Sequence, residues 1–195
     1  MSKGWYTKYM RKATSGFTIV ELLIVIVVIA ILASISVVAY NGIQQRANNT
    51  RSTAAAKQLI GLIKAYTATY GTFPDTSAAV CGTIDNACTN NSNTVNTANN
   101  STLINELRKV GNPPDSSPIA ADGAYGIQYI YNASTTFNSQ PAPLRIEYYL
   151  QGNAQKCGLE NITTTTTGGA TANSGYSQTT GNKTTCWVMF YQVNP

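Results

Sequence analysis

One uninterrupted apolar stretch, from Phe17 to Tyr40, dominates the start of the chain, and Glu21 is its only charged residue. As a helix, this stretch would span about 36 Å, compared with a bilayer hydrocarbon thickness of about 30 Å. Four cations and no acids precede it: Lys3, Lys8, Arg11 and Lys12. Because flanking positive charge stays on the cytoplasmic side, the pattern predicts a membrane-spanning helix with its N-terminus inside.

From Gln44 the pattern becomes amphipathic without a break, since no proline appears before Pro74. Large apolar residues then recur at steps of three and four: Leu59, Leu62, Ile63, Tyr66 and Tyr70. The spacing predicts that the helix continues to about Tyr70 and packs one stripe against a sheet. Gly71 and Pro74 then end it.

Three later segments have the alternating or continuous apolar pattern of strands: 125–131, 144–150 and Cys186–Val193. The connections between them favour an antiparallel sheet. Residues 75–102 are expected to form a long surface connection, with a short helical turn at Leu103–Leu107. The Thr163–Thr167 run is expected to lie in a solvated loop.

Composition removes several function classes. The chain has no histidine, and therefore lacks the usual base near pH 7 and the commonest metal ligand. Only 11% of residues are charged, which suits an exported protein. Without the four N-terminal cations, nine basic and eight acidic residues remain, so no basic patch for a nucleic acid is evident. We expect a non-enzymatic protein with no cofactor and no metal.

Glu21 is a functional candidate because a charge inside an apolar span is costly unless it is paired or near the interface. A secretory signal peptide does not explain it, since the apolar run is too long for one. A simple signal anchor explains the length and the flanking charges, but not the carboxylate.

The run Lys12–Leu22, KATSGFTIVEL, resembles the leader-and-cleavage motif of type IV prepilins and related pseudopilins. The resemblance implies cleavage between Gly16 and Phe17 by a prepilin peptidase, which also N-methylates Phe17. It further implies an α+β, type IV pilin-like fold, with a long N-terminal helix packed on a small antiparallel sheet of about three or four strands. The expected parts are a leader (1–16), a transmembrane and assembly half-helix (17–43) and an extracytoplasmic head (44–195).

In such a filament, the Glu21 carboxylate would neutralise the terminal amine of a neighbouring subunit and so set the register between subunits. The expected partners are further copies of the chain, the prepilin peptidase, the pilus assembly platform and, before assembly, the membrane. The precursor would be a single-pass inner-membrane protein, and the product a cell-surface filament.

Four cysteines in an exported chain favour two disulfides over a zinc site. Nearest pairing joins Cys81 to Cys88 and Cys157 to Cys186. The second pair matches the layout of the disulfide-bounded C-terminal region of many type IV pilins, again by resemblance. Calcium is not expected in the C-terminal loops, because Glu147 and Glu160 are the only acids after Asp122.

The sequence therefore favours a structural pilin subunit of a type IV pilus-like filament. One alternative is a pseudopilin of a type II secretion or DNA-uptake machine. Another is a monomeric, signal-anchored extracellular binding domain.

Overall fold

A computed structural model describes residues 16–90, 92, 94–118, 120, 123–137, 140–159, 162–164 and 175–191. Its longest element is the helix α1, Ile19–Tyr70, which is helical throughout, including Asn41 and Gly42. Gly71 ends it in the left-handed conformation, with φ of +71°, and donates its amide to the carbonyl of Thr67 at 2.9 Å. The chain divides into two units, Met1–Gly42 and Ile43–Pro195.

Within the second unit, the C-terminal half of α1 packs on a sheet. The four longer strands are β2 (Ile127–Tyr131), β5 (Leu144–Gln151), β7 (Gly175–Thr180) and β8 (Lys183–Phe190), and all neighbours among them are antiparallel. Two short strands extend the edges, β1 (Val80–Cys81) beside β2 and β6 (Ile162–Thr164) parallel to β7. A separate small hairpin pairs β3 (Thr136–Phe137) with β4 (Gln140–Pro141). The predicted α+β, pilin-like arrangement is confirmed.

The two faces of the sheet differ in character because side chains alternate along each strand. The front face packs on α1 and on the short helix α2 (Ser101–Arg108). This core comprises Ala56, Leu59, Ile63, Leu103, Leu107, Ile127, Tyr129, Ile146 and Tyr148, among others. The back face carries Gln128, Arg145, Glu147 and Trp187, which the register Gln128↔Glu147↔Trp187 brings side by side.

The structure departs from the sequence-based expectation in two connections. Residues 75–102 are not only a surface loop, because β1 joins the sheet edge and Gly82, Thr83 and Thr89 are buried. The segment expected to be a loop between the second and third strands contains β6 and β7, and Thr163 lies in β6. In both cases the strands form by pairing with a neighbouring strand, which local periodicity does not specify. Residues 165–167 of the Thr-rich run lie outside the described residues.

Candidate assembly site at the helix N-terminus

The predicted cleavage bond, between Gly16 and Phe17, lies in non-helical backbone just before α1. The Phe17 side chain is 86% exposed, and a Cβ added at Gly16 would meet nothing within 4 Å. The leader cations lie outside the described residues. Exposed, non-helical backbone is the form in which a protease binds its substrate, so the local structure suits cleavage here.

Thr18 and Glu21 form a reciprocal cap at the start of α1. The Glu21 Oε2 atom accepts hydrogen bonds from the Thr18 backbone N–H and hydroxyl, both at 2.8 Å. In return, the Glu21 N–H donates to the Thr18 hydroxyl oxygen at 3.2 Å. This is the capping-box arrangement, in which a Thr at the N-cap and a Glu three residues later satisfy each other's backbone donors.

The cap uses only one of the two Glu21 carboxylate oxygens. In the part of the chain that the structure describes, Oε1 has no hydrogen-bond partner. A carboxylate offers about four lone-pair sites, so capping and a further charged contact are compatible. The geometry therefore fixes the direction of the carboxylate and leaves one oxygen available.

The apolar half of α1 presents its side chains without cover. Large apolar side chains along Phe17–Ile43 are between 47% and 86% exposed. The most apolar 18-residue window has a mean hydropathy of 3.3, and none of it is buried. The hydroxyls of Ser34 and Ser36 donate to the carbonyls of Ile31 and Leu32, each at 2.7 Å, so neither needs water. By length and composition, this helix can cross a membrane.

The structure joins the four cysteines in two pairs, Cys81 with Cys88 and Cys157 with Cys186. The Cα atoms are 5.6 Å apart in the first pair and 5.9 Å apart in the second. The first disulfide closes the turn that follows β1, and the second ties the connection after β5 to β8. Both bridges lie in the second unit, Ile43–Pro195, which we call the head, and they are well separated in sequence from the capping site.

Residues 11–37 match the family described as the prokaryotic N-terminal methylation motif. This is the prepilin-type cleavage and methylation motif, and it covers Gly16, Phe17 and Glu21. Comparison with curated proteins and with solved structures gives no significant match. The motif supports a type IV pilin-like or pseudopilin-like precursor, a class of structural rather than catalytic proteins, and it implies processing by a prepilin peptidase.

Thr18 also belongs to this site, although it was not among the residues predicted from the sequence. The signal was present, because a Thr followed three residues later by Glu, directly before an apolar run, predicts a capping box. The sequence-based hypothesis for Glu21 concerns only its pairing with a neighbouring subunit. The structure shows that within a single chain it also begins the helix.

Proposed function

We propose that the chain is a structural subunit of a type IV pilus-like filament. Prepilin peptidase would remove residues 1–16 and methylate Phe17, and residues 17–43 would then polymerise with those of other copies. Residues 44–195 would form the outward-facing head. The further partner is the pilus assembly platform, which would draw subunits from the membrane into a surface filament.

The observation that carries this proposal is the uncovered apolar half-helix that begins at the capping box. In lipid, its apolar side chains are surrounded by equally apolar acyl chains, so contact between helices gives little hydrophobic stabilisation. Once a subunit leaves the membrane, the same side chains would face water unless neighbouring helices covered them. A bundle of such helices would cover these apolar side chains in every subunit. This favours polymerisation over a monomeric anchor.

Glu21 would then act as the register element. Cleavage creates a cationic amine at Phe17, and the free Oε1 of a neighbouring Glu21 offers it a partner. Inside a water-excluding bundle, an unpaired charge is strongly unfavourable. A subunit placed out of register would leave such a charge unpaired, so the pair would select one axial offset between subunits.

The test has two measurements on the protein purified from its own cells. N-terminal sequencing should find methylated Phe17 as the first residue, whereas an intact N-terminus would support a monomeric signal-anchored domain. Electron microscopy of the sheared surface fraction should show filaments that contain this chain. A processed chain that forms no surface filaments would overturn the filament proposal and support the pseudopilin alternative.

A further inference from the structure

The back face of the head sheet carries a pocket with both polar and apolar lining. We call it the back-face pocket, and its volume is about 610 Å³. Its floor is formed by Gln128, Ile130, Arg145 and Glu147 of β2 and β5. Its walls come from the connection before α2, at Ala78, Ala79 and several residues between Asn90 and Ala98. The volume lies in the usual range of small-molecule sites, roughly 300–1,000 Å³.

Glu147 at the floor is a fixed and already occupied charge. It is fully buried, and its Oε1 accepts a hydrogen bond from the Tyr149 hydroxyl at 2.6 Å. Its Oε2 accepts one from the Trp187 indole N–H at 2.7 Å and lies 3.6 Å from Nη2 of Arg145. Both oxygens are therefore engaged, so this carboxylate anchors the floor rather than binding a ligand directly.

Two other floor groups have hydrogen-bonding capacity that the protein does not use. Gln128 is only 3% exposed and lines the pocket, where its side-chain amide makes no hydrogen bond to the described residues and keeps some contact with solvent. Nε of Arg145 is buried and likewise without a partner. Buried polar groups in folded proteins are nearly always paired. The buried, unpaired Nε of Arg145, beside an accessible Gln128 amide in the same pocket, therefore points to a ligand or to bound water.

The chemistry of the pocket selects the ligand class. The charges of Arg145 and Glu147 cancel, so the floor attracts neither anions nor cations strongly. An apolar ligand would leave the Gln128 amide and the Arg145 Nε unpaired, which is costly. Hydroxyl groups both donate and accept, and so fit a floor that offers an amide and a guanidinium N–H. Ile130 and Val95 add apolar contact for a ring face.

The pocket is held open by its own covalent and hydrogen-bonded frame. The Cys81–Cys88 disulfide closes one end of the wall segment, and Thr89 pairs with Val95 in an isolated bridge. The Asn96 side-chain amide donates to the carbonyl of Ala79 at 2.8 Å. A frame that is already formed reduces the entropy lost when a ligand binds.

We propose that the back-face pocket binds a neutral carbohydrate unit. Gln128 and the Arg145 Nε would hydrogen-bond the hydroxyls of the sugar, while Ile130 and Val95 would contact its ring. This inference does not depend on filament formation, since every residue involved lies in the head.

The test uses the full chain in phosphocholine micelles, because glycoside detergents would compete for the pocket. The probes are methyl α-D-glucopyranoside, methyl β-D-galactopyranoside and methyl N-acetyl-β-D-glucosaminide, with glucuronate as the anionic comparator. Saturation-transfer NMR detects binding, and titration gives the Kd. We expect at least one neutral probe to bind, more tightly than glucuronate.

Three variants locate the binding. Gln128→Leu keeps the size of the buried side chain and removes the amide, and Arg145→Lys keeps the charge and removes Nε; each should weaken binding by about tenfold or more. Gln44→Leu, the same change at an exposed position on α1 outside the pocket, should leave the Kd unchanged. If Gln128→Leu fails to fold, Arg145→Lys carries the test.

The proposal is overturned if none of the neutral probes binds or if glucuronate binds more tightly than all of them. It is equally overturned if the folded pocket variants bind as well as the wild type.

Discussion

At the residue scale, Glu21 has an observed capping role and a proposed register role, and substitution can separate the two. Within one chain, its Oε2 caps α1 through Thr18. In the proposed filament, its negative charge pairs with the amine of a neighbouring Phe17. Capping needs only an acceptor, whereas the register pair needs a charge. A neutral amide therefore retains the first role and loses the second.

We predict that Glu21→Gln and Glu21→Ala leave the chain membrane-inserted and largely cleaved but nearly abolish filaments. Thr18→Val, which removes the hydroxyl and keeps the carboxylate, should still form filaments, since a lost cap costs only about 1 kcal/mol of helix stability. The measurement is the amount of sheared filament by electron microscopy, together with the mass of the processed chain. Abundant filaments in Glu21→Gln would show that the charge does not set the register.

Gly16 gives a second prediction at this scale, on processing rather than assembly. Replacing it by Leu should accumulate the uncleaved precursor, because a large side chain beside the scissile bond obstructs an extended substrate in the peptidase. Mass spectrometry should find the chain heavier by residues 1–16. The matched control is Gly61→Leu, at an exposed helical position where an added Cβ also meets nothing within 4 Å. Normal cleavage of Gly16→Leu would contradict the assigned site.

At the scale of elements, a polar clamp joins α1 to α2. The Tyr66 hydroxyl on α1 donates to Oε2 of Glu106 on α2 at 2.6 Å, and Nζ of Lys109 lies 2.6 Å from Oε1 of the same carboxylate. Burial, and then the bond to Glu106, raises the pKa of Tyr66 to about 12. Lys109, and then Tyr66, holds the pKa of Glu106 below its usual value.

Because of this clamp, we predict that the stability of the head falls both at high pH, through Tyr66, and at low pH, through Glu106. The Tyr66 contribution is fully present below the unfolded pKa of about 10 and is lost as pH rises through about 12. The Glu106 contribution is present above its unfolded pKa of about 4.3 and is lost as pH falls through the lowered folded value. Thermal melts of the head, recorded from below about pH 4 to about pH 12, should show a lower melting temperature at both extremes.

Tyr66→Phe isolates one side of this clamp. At neutral pH, the variant should melt a few degrees lower, because the hydrogen bond to Glu106 is removed. Between about pH 10 and 12, the difference from the wild type should shrink, since only the wild type has Tyr66 to ionise. The control is Tyr70→Phe, because the exposed Tyr70 hydroxyl makes no bond to Glu106. A constant difference across this pH range would contradict the role given to Tyr66.

For the whole molecule, the two disulfides limit how far the unfolded head can expand. The bridged cysteines are 7 residues apart in one pair and 29 in the other. Loop-closure entropy for these lengths corresponds to about 2.5 and 3.6 kcal/mol of stability, respectively. The longer loop joins the connection after β5 to β8, next to the buried Tyr148, whose hydroxyl donates to the Cys157 carbonyl at 2.6 Å.

We predict that reduction lowers the free energy of unfolding of the head by a few kcal/mol, while a chelator leaves it nearly unchanged. Replacing Cys157 and Cys186 together by Ser should destabilise the head more than replacing Cys81 and Cys88 together. Denaturant titrations of residues 44–195, with and without reductant or chelator, measure both effects. A loss of stability on chelation alone would indicate a bound metal and contradict the prediction.

The sequence by itself determined the features that depend on neighbours along the chain. An apolar run with a basic flank defines a potential membrane span, and residues 11–37 match the N-terminal methylation motif. The amphipathic spacing predicted that α1 continues to about Tyr70 and ends at Gly71, and the structure has both features. Alternation likewise located β2 and β5, and a continuous apolar run located most of β8. All of these rest on local spacing, which a single sequence records directly.

Only the tertiary structure decided what distant segments do together. The edge strands β1 and β6, and β7 between β6 and β8, have little pattern of their own and form because a neighbouring strand offers free hydrogen-bonding groups. Glu147 follows the alternation of an exposed residue, yet the register places it beside Trp187 and under Tyr149, where it is fully buried. The unpaired amide of Gln128 and the pocket above it arise from the same pairing. Burial and partner choice are set by contacts between residues far apart in sequence, and the local pattern does not contain them.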